Sequence, residues 1–228
     1  MQFSQCRAPC SPQLLGGLFI TAVVGAIVFA SAGRLDLPLV WAWLATMSAV
    51  IIVSAIVLPP DLLQERQHPG AAGRVHDRHR TIVVPLCILS WVLAGLDLGR
   101  LHWTDTIPTW LRVAGLAGYA VAMLVMLWAM RTNRFFSSVI RLQRDRGHEP
   151  ITGGPYRFVR HPGYAAMIAA LLCEGLALGS WIGLVPVLGV VLLFLRRTIN
   201  EDQMLRRDLD GYEAYAARVR SRLVPGVW

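Results

Sequence analysis

Two short clusters in the second half of the chain carry residue types that can do chemistry. Arg160-His161-Pro162-Gly163-Tyr164 reads as a helix start, because proline in a first turn gives up no hydrogen bond. His161 and Tyr164 are three apart and share a helical face, and the unpaired N–H groups of such a start can receive an anion such as a carboxylate. The second cluster, Arg196-Arg197-Thr198-Ile199-Asn200-Glu201-Asp202, sets Arg197 and Glu201 four apart, again on one face. Arg197 could hold a carboxylate through its planar fork, while Glu201 could orient that arginine, bind a cofactor or take a proton from an amine. Each cluster also has a plain reading. Arg160 can be a topology charge, Pro162 a loop terminator, and Arg197 with Glu201 a surface ion pair worth under ~1 kcal/mol.

Placement decides between these readings. Of 228 residues, 55% are hydrophobic, and they fall in blocks at about 14–32, 39–58, 82–98 and 110–130. Each block is close to the ~20 residues that span a hydrocarbon core. A fifth block, 163–195, is too long for one span, and Gly179-Ser180-Trp181-Ile182-Gly183 supplies a turn with an interfacial tryptophan. The pattern predicts two spans in a tight hairpin, the second one short, and about six transmembrane helices in all. Both clusters then flank one hairpin and meet at one membrane face.

All 22 basic residues are arginine, which suggests a high-GC genome, and the expected location is a bacterial inner membrane. With six spans, 19 of them lie on one side, leaving only Arg34, Arg100 and Arg112 on the other. The positive-inside rule puts both termini in the cytoplasm. The net charge of +8 then reflects topology and contact with anionic membrane lipids, and nucleic acid is excluded as a partner. Ala30-Ser31-Ala32 resembles a signal-peptide cleavage site, but the apolar run before it is long and only Arg7 precedes it, so the first span is expected to be retained. Cys6, Cys10, Cys87 and Cys173 form no disulfide framework, and Cys6-x-x-x-Cys10 is a weak metal or lipidation signal. No metal site is expected.

The stretch from Arg131 to Pro162 and the tail after Arg196 are long, arginine-rich and dotted with Gly, Pro, His and aromatic residues, so chemistry belongs there. Ile140-Arg141-Leu142-Gln143 alternates like a short strand. In the tail, Leu205, Leu209, Tyr212, Ala216, Val219 and Leu223 recur at helical spacing, which predicts an amphipathic helix kinked at Gly211. It could rest on headgroups or form a lid over a site. Glu174, an acid within the fifth span, is expected to reach the outer interface. No inverted repeat or chain of buried acids points to a transporter.

Taken together, Asn133-x-Phe135-Phe136, Gly147-His148, Thr152-x-Gly154-Pro155-Tyr156, Arg160-His161-Pro162-x-Tyr164, Glu201-Asp202 and Tyr212-x-x-Tyr215-x-x-Arg218 before Pro225 resemble the isoprenylcysteine carboxyl methyltransferase family, itself similar to phospholipid N-methyltransferases. The resemblance covers residues 131–228, the two-span hairpin with its loop and tail, and leaves 1–130 as four spans without a signature. It implies an all-α integral membrane enzyme that binds S-adenosylmethionine without a Rossmann fold. No strand followed by G-x-G-x-x-G and a helix is present, in keeping with that. Carried over by position, His148, Gly154, Tyr156, His161, Pro162, Tyr164 and Glu201 would bind the cofactor, and Arg197 would face the substrate. The implied substrate is lipid-like or prenylated, with Arg197 and Glu201 as the catalytic pair. Ala166 stands where the family often has Gly, and Glu201-Asp202 where it often has Glu-Glu. The rival readings are an NADPH-dependent enzyme of the sterol-reductase type and a non-catalytic membrane protein that keeps the fold.

Overall fold

A long apolar stretch in lipid has only its own backbone to bond with, so it becomes helix. The computed structural model describes residues 11–67 and 78–228, and among the described residues there is no strand. The helices are α1 (Ser11–Ala32), α2 (Pro38–Val57), α3 (Pro60–Gln67), α4 (Arg78–Leu96), α5 (Thr109–Thr132), α6 (Pro162–Leu178), α7 (Trp181–Asp208) and α8 (Tyr212–Arg218). Five of them, α1, α2, α4, α5 and α7, are long and apolar enough to cross a membrane, and α6 is a shorter apolar helix of 17 residues. The chain is an all-α multi-pass membrane protein. Arg7, Arg74, Cys6 and Cys10 lie outside the described residues.

The hairpin turns where the sequence predicts, at Gly179 with φ +83° and Ser180, whose hydroxyl caps α7 by accepting from Gly183 N at 3.1 Å. Its short member is α6, however, not the second helix. Nothing breaks the helix after Arg196, so α7 continues to 28 residues. At 1.5 Å per residue that is ~42 Å against a hydrocarbon core of ~30 Å, so Arg197, ~24 Å from Trp181, comes near the far edge of the apolar layer and Glu201 and Asp202 reach that edge.

Close packing fixes the bundle. α5 lies along α6, α4 along α7, and α1 against α4. A Cβ at Gly95 of α4, or at Gly99 in the π-helical turn that continues it (Asp97–Leu101), would press on the backbone of α1 at Val28 and Ala32, so these glycines set the approach of the two elements. At the end of the bundle away from the arginine-rich loops, the buried Asp97 accepts Thr104 N at 2.8 Å, Thr104 Oγ1 at 2.6 Å and Ser180 Oγ at 2.5 Å, anchoring the hairpin turn. Glu174 is half-buried, one turn before the end of α6. Trp91 Nε1 of α4 donates to its Oε1 at 2.6 Å.

Two further expectations change. Residues 140–143 form no strand: Arg141 reaches Glu65, Gln143 Nε2 donates to Phe135 O at 2.7 Å, and the Gln143 carbonyl accepts the local turn's Arg146 and His148 N–H groups instead of a ladder partner. The tail is not one kinked helix. Gly211 takes φ +79°, which ends α7 and starts α8 as separate pieces. The predicted stripe still faces inward: Leu205, Tyr212 and Ala216 pack with Tyr215 against Tyr156 and Ala129 of α5.

Candidate active site

At the arginine-rich end, α3, α4, the α5–α6 connection, α6, α7 and α8 enclose a cavity of about 390 Å³, a size that suits a small-molecule site. It has two unlike ends. Asn133, His148, Tyr156 and Glu201 line one, and Val83, Val84, Met126, Met167 and Phe194 line the other. Met167 is five residues into α6 and Met126 six before the end of α5, so the apolar end reaches roughly 8 Å below the helix ends. A polar compartment is thus continuous with one at the depth of the spans.

Six of the residues singled out in the sequence line this cavity: His148, Tyr156, His161, Tyr164, Arg197 and Glu201. Gly154 and Pro162 do not. Gly154, at φ +55° and close against Thr132, opens the 3-10 turn that carries Tyr156 inward. Pro162 is the buried first residue of α6, fixing its start.

Tyr164 is the joint between the two sequence clusters. Its hydroxyl donates to Glu201 Oε2 at 2.5 Å and accepts from Arg197 Nε at 2.8 Å. Arg197 Nη2 also donates to Ser138 O at 2.7 Å. The direct Arg197–Glu201 ion pair that the i,i+4 spacing allows is therefore not formed. The phenol stands between them, and Glu201 Oε1 is left without a donor among the described residues.

His161 points the other way, into a network that sequence reasoning missed. Asp202, fully buried, accepts Arg160 through Nε at 2.8 Å and Nη2 at 3.1 Å, Arg222 Nε at 3.0 Å, Arg206 Nε at 3.3 Å and Tyr212 Oη at 3.0 Å. His161 Nε2 lies 3.2 Å from the same carboxylate. Arg160 Nη1 further donates to Val219 O and Arg220 O at 2.7 Å each, and the backbone N–H groups of Arg160 and His161 bond Ser221 O and Arg222 O. The tail is strapped across the start of α6 in this way, and Tyr212 and Tyr215 become cavity walls. The only sequence signal was the i,i+4 spacing of Asp202 and Arg206.

The α5–α6 connection is held from within. Asn133 Nδ2 donates to Tyr156 Oη at 3.1 Å. Burial pushes the Tyr156 hydroxyl up, so its proton remains. His148 rests on the Phe135 ring at 4.5 Å, and Gln143 N donates to His148 Nδ1 at 3.3 Å, so the neutral ring carries its proton on Nε2. Burial, then the charge of Arg141, holds this imidazole below the ordinary 6.5.

Residues 114–207 match the family model described as "Isoprenylcysteine carboxyl methyltransferase (ICMT) family". The likeness is to this stretch of the chain. The region opens inside α5 and ends at the last turn of α7, so it contains every side chain of the Tyr164 joint. The chain is also similar to the nickel-cobalt-cadmium resistance protein NccN of Alcaligenes xylosoxydans xylosoxydans, 28% identical over 144 residues, which are 62% of each chain. A probable protein-S-isoprenylcysteine O-methyltransferase of Oryza sativa, found in both subspecies indica and japonica, is 26% identical over 163 residues, 67% of this chain and 85% of the rice chain. The match thus spans less than two thirds of NccN and most of the rice relatives. The ICMT-family resemblance read from the motifs is borne out.

Proposed function

We propose that this chain is an integral membrane methyltransferase that uses S-adenosylmethionine to methylate the carboxylate of an amphiphilic acceptor. The observation that carries the reading is the two-ended cavity, with the Tyr164–Glu201–Arg197 joint in its wall. The rice relatives, named for isoprenylcysteine O-methylation, support it. The residues fit such a cofactor: the unsatisfied Glu201 Oε1 suits a cationic or hydroxyl-bearing molecule, and His148, Tyr156 and Tyr164 offer polar atoms and ring faces beside it. Gly154 and Pro162 shape this compartment, and His161 closes it through Asp202.

When bound, the cofactor supplies a sulfonium methyl that an acceptor carboxylate oxygen takes by in-line displacement, leaving an ester and a neutral thioether with no proton to move. The protein's contribution is position and a dry site. Arg197, fixed by Tyr164 and Ser138, presents its remaining N–H groups to the acceptor, and Glu201 holds Tyr164 and so the arginine. The apolar end takes the acyl or prenyl tail. By the positive-inside rule the arginine-rich face, with both termini, is cytoplasmic.

Titration of the purified protein with S-adenosylhomocysteine and with NADPH, followed by transfer of labelled methyl to a lipid extract, tests the reading. Binding of the former and base-labile methyl counts are expected. Base-stable counts would assign an amine acceptor, binding of NADPH alone would point to a reductase, and binding of neither would leave a non-catalytic protein.

A further inference from the structure

Arg66 is a charged group that neither the motifs nor the network around Asp202 absorbs, and it comes from α3, outside the ICMT-family region. α3 is fastened to the α5–α6 connection at three points. Glu65 accepts Arg141 Nε at 3.0 Å and Nη2 at 2.9 Å, Asp61 accepts Arg146 Nη2 at 2.8 Å, and the carbonyl of Arg66 itself accepts Ser138 Oγ at 3.0 Å. The Arg66 backbone is therefore placed, and its guanidinium lies over the Phe136 ring at 5.2 Å and lines the cavity. Phe136 in turn covers Gly163 in the first turn of α6, so the cation stands at the same end of the cavity as that helix start.

Three other arginines of the wall have partners in the fold. Arg141 has Glu65 and Asp145, Arg160 has Asp202 and two carbonyls, and the Nε and Nη2 of Arg197 are committed to Tyr164 and Ser138. Among the described residues no carboxylate stands within ion-pair distance of Arg66, and burial pulls its pKa down. For a half-buried guanidinium with no acceptor among the described residues, a bidentate anion would relieve the cost of desolvation. Ser138 links the two cations, since its hydroxyl bonds the backbone of Arg66 and its carbonyl bonds the side chain of Arg197.

We propose that Arg66 receives the anionic headgroup of the acceptor, with Arg197 on the other side of Ser138, and so selects an acidic amphiphile over a neutral or cationic one. The proposal rests on the methyltransferase reading. Because methylation of a carboxylate consumes its negative charge, an ion pair to it is strongest before the reaction, and Arg66 acts on acceptor binding more than on turnover.

The test is direct binding to the purified protein in neutral detergent, above the pKa of the micellar acid, with hexadecanoate, hexadecanol and hexadecylammonium as probes and S-adenosylhomocysteine as the internal control. Wild-type protein is expected to bind hexadecanoate more tightly than the other two. Arg66→Gln should lose at least ~10-fold in hexadecanoate affinity with hexadecanol and S-adenosylhomocysteine unchanged, and Arg66→Lys should fall between. Equal binding of acid and alcohol by the wild type, an unchanged acid affinity in Arg66→Gln, or a loss that extends to S-adenosylhomocysteine would overturn the proposal. A wild type that binds the acid through Arg66 but no S-adenosylhomocysteine would remove the methyltransferase reading and leave the anion receptor standing.

Discussion

Glu201 and Asp202 are consecutive acids on α7, yet they serve two different regions of the molecule. Asp202 is fully buried, and three arginines and a tyrosine converge on its two oxygens. Glu201 borders the cavity and takes one short bond from Tyr164. A helical step of about 100° separates them, enough to turn one acid toward the strapped tail and the other toward the cavity. Saturation marks the acid that holds the fold. The acid with an oxygen to spare is the one available to a ligand.

The sharpest way to break this comparison is to neutralise each acid in turn. Asp202→Asn leaves the buried Arg160 guanidinium without its counter-charge, and removing one partner of a buried pair costs about 3–5 kcal/mol. Unfolding in mixed micelles should show that loss, with the tail becoming accessible to protease. Glu201→Gln should leave unfolding within ~1 kcal/mol of wild type but reduce methyl transfer at least ~100-fold, or ~2.7 kcal/mol, because the amide can still accept from Tyr164 but brings no negative charge to the cavity. Equal destabilisation by the two substitutions would erase the distinction.

A smaller effect sharpens the cavity side. Arg197→Lys keeps the charge but cannot bond Tyr164 and Ser138 while also presenting N–H groups to an acceptor. Methylation of an amphiphilic carboxylic acid should fall about 10-fold, ~1.4 kcal/mol, with S-adenosylhomocysteine affinity little changed. A variant as fast as wild type would remove Arg197 from the mechanism.

Why was one acid legible and the other not? The membrane bundle and the 179–183 turn follow from apolar blocks and a glycine, which are local signals. Tyr164, Arg197 and Glu201 could be placed together because they flank one hairpin, so topology alone brings them to one face. The partners of Asp202 cannot be found that way. Arg160 lies 42 residues before it and Arg222 lies 20 after it, and in a chain with 22 arginines each reads equally well as a topology charge. Burial separates Arg160 from the other arginines, and its burial depends on where the tail folds back. The tail stripe gave the inward residues correctly but not the break at Gly211, since helical spacing survives a change of direction that a left-handed glycine permits.

The smallest expected effect concerns pH, and it probes how the polar end of the cavity is kept in shape. His148 is neutral in the folded protein because its Nδ1 accepts from Gln143 N, a bond that a protonated ring could not receive. Burial and the charge of Arg141 lower its folded pKa from 6.5. Below that ordinary value the unfolded chain binds a proton that the folded chain refuses. The stabilising contribution is therefore fully present above about 6.5 and is lost as pH falls through the lower folded value. S-adenosylhomocysteine affinity, measured across this range, should decline on the acid side as the loop around His148 loosens. His148→Asn tests the cause, because its Oδ1 can stand where Nδ1 stands, accept the same N–H and not titrate. That variant should bind the ligand near neutrality with a flatter acid limb. An acid limb identical to that of the wild type would move the titration elsewhere and leave His148 as a packing residue against Phe135.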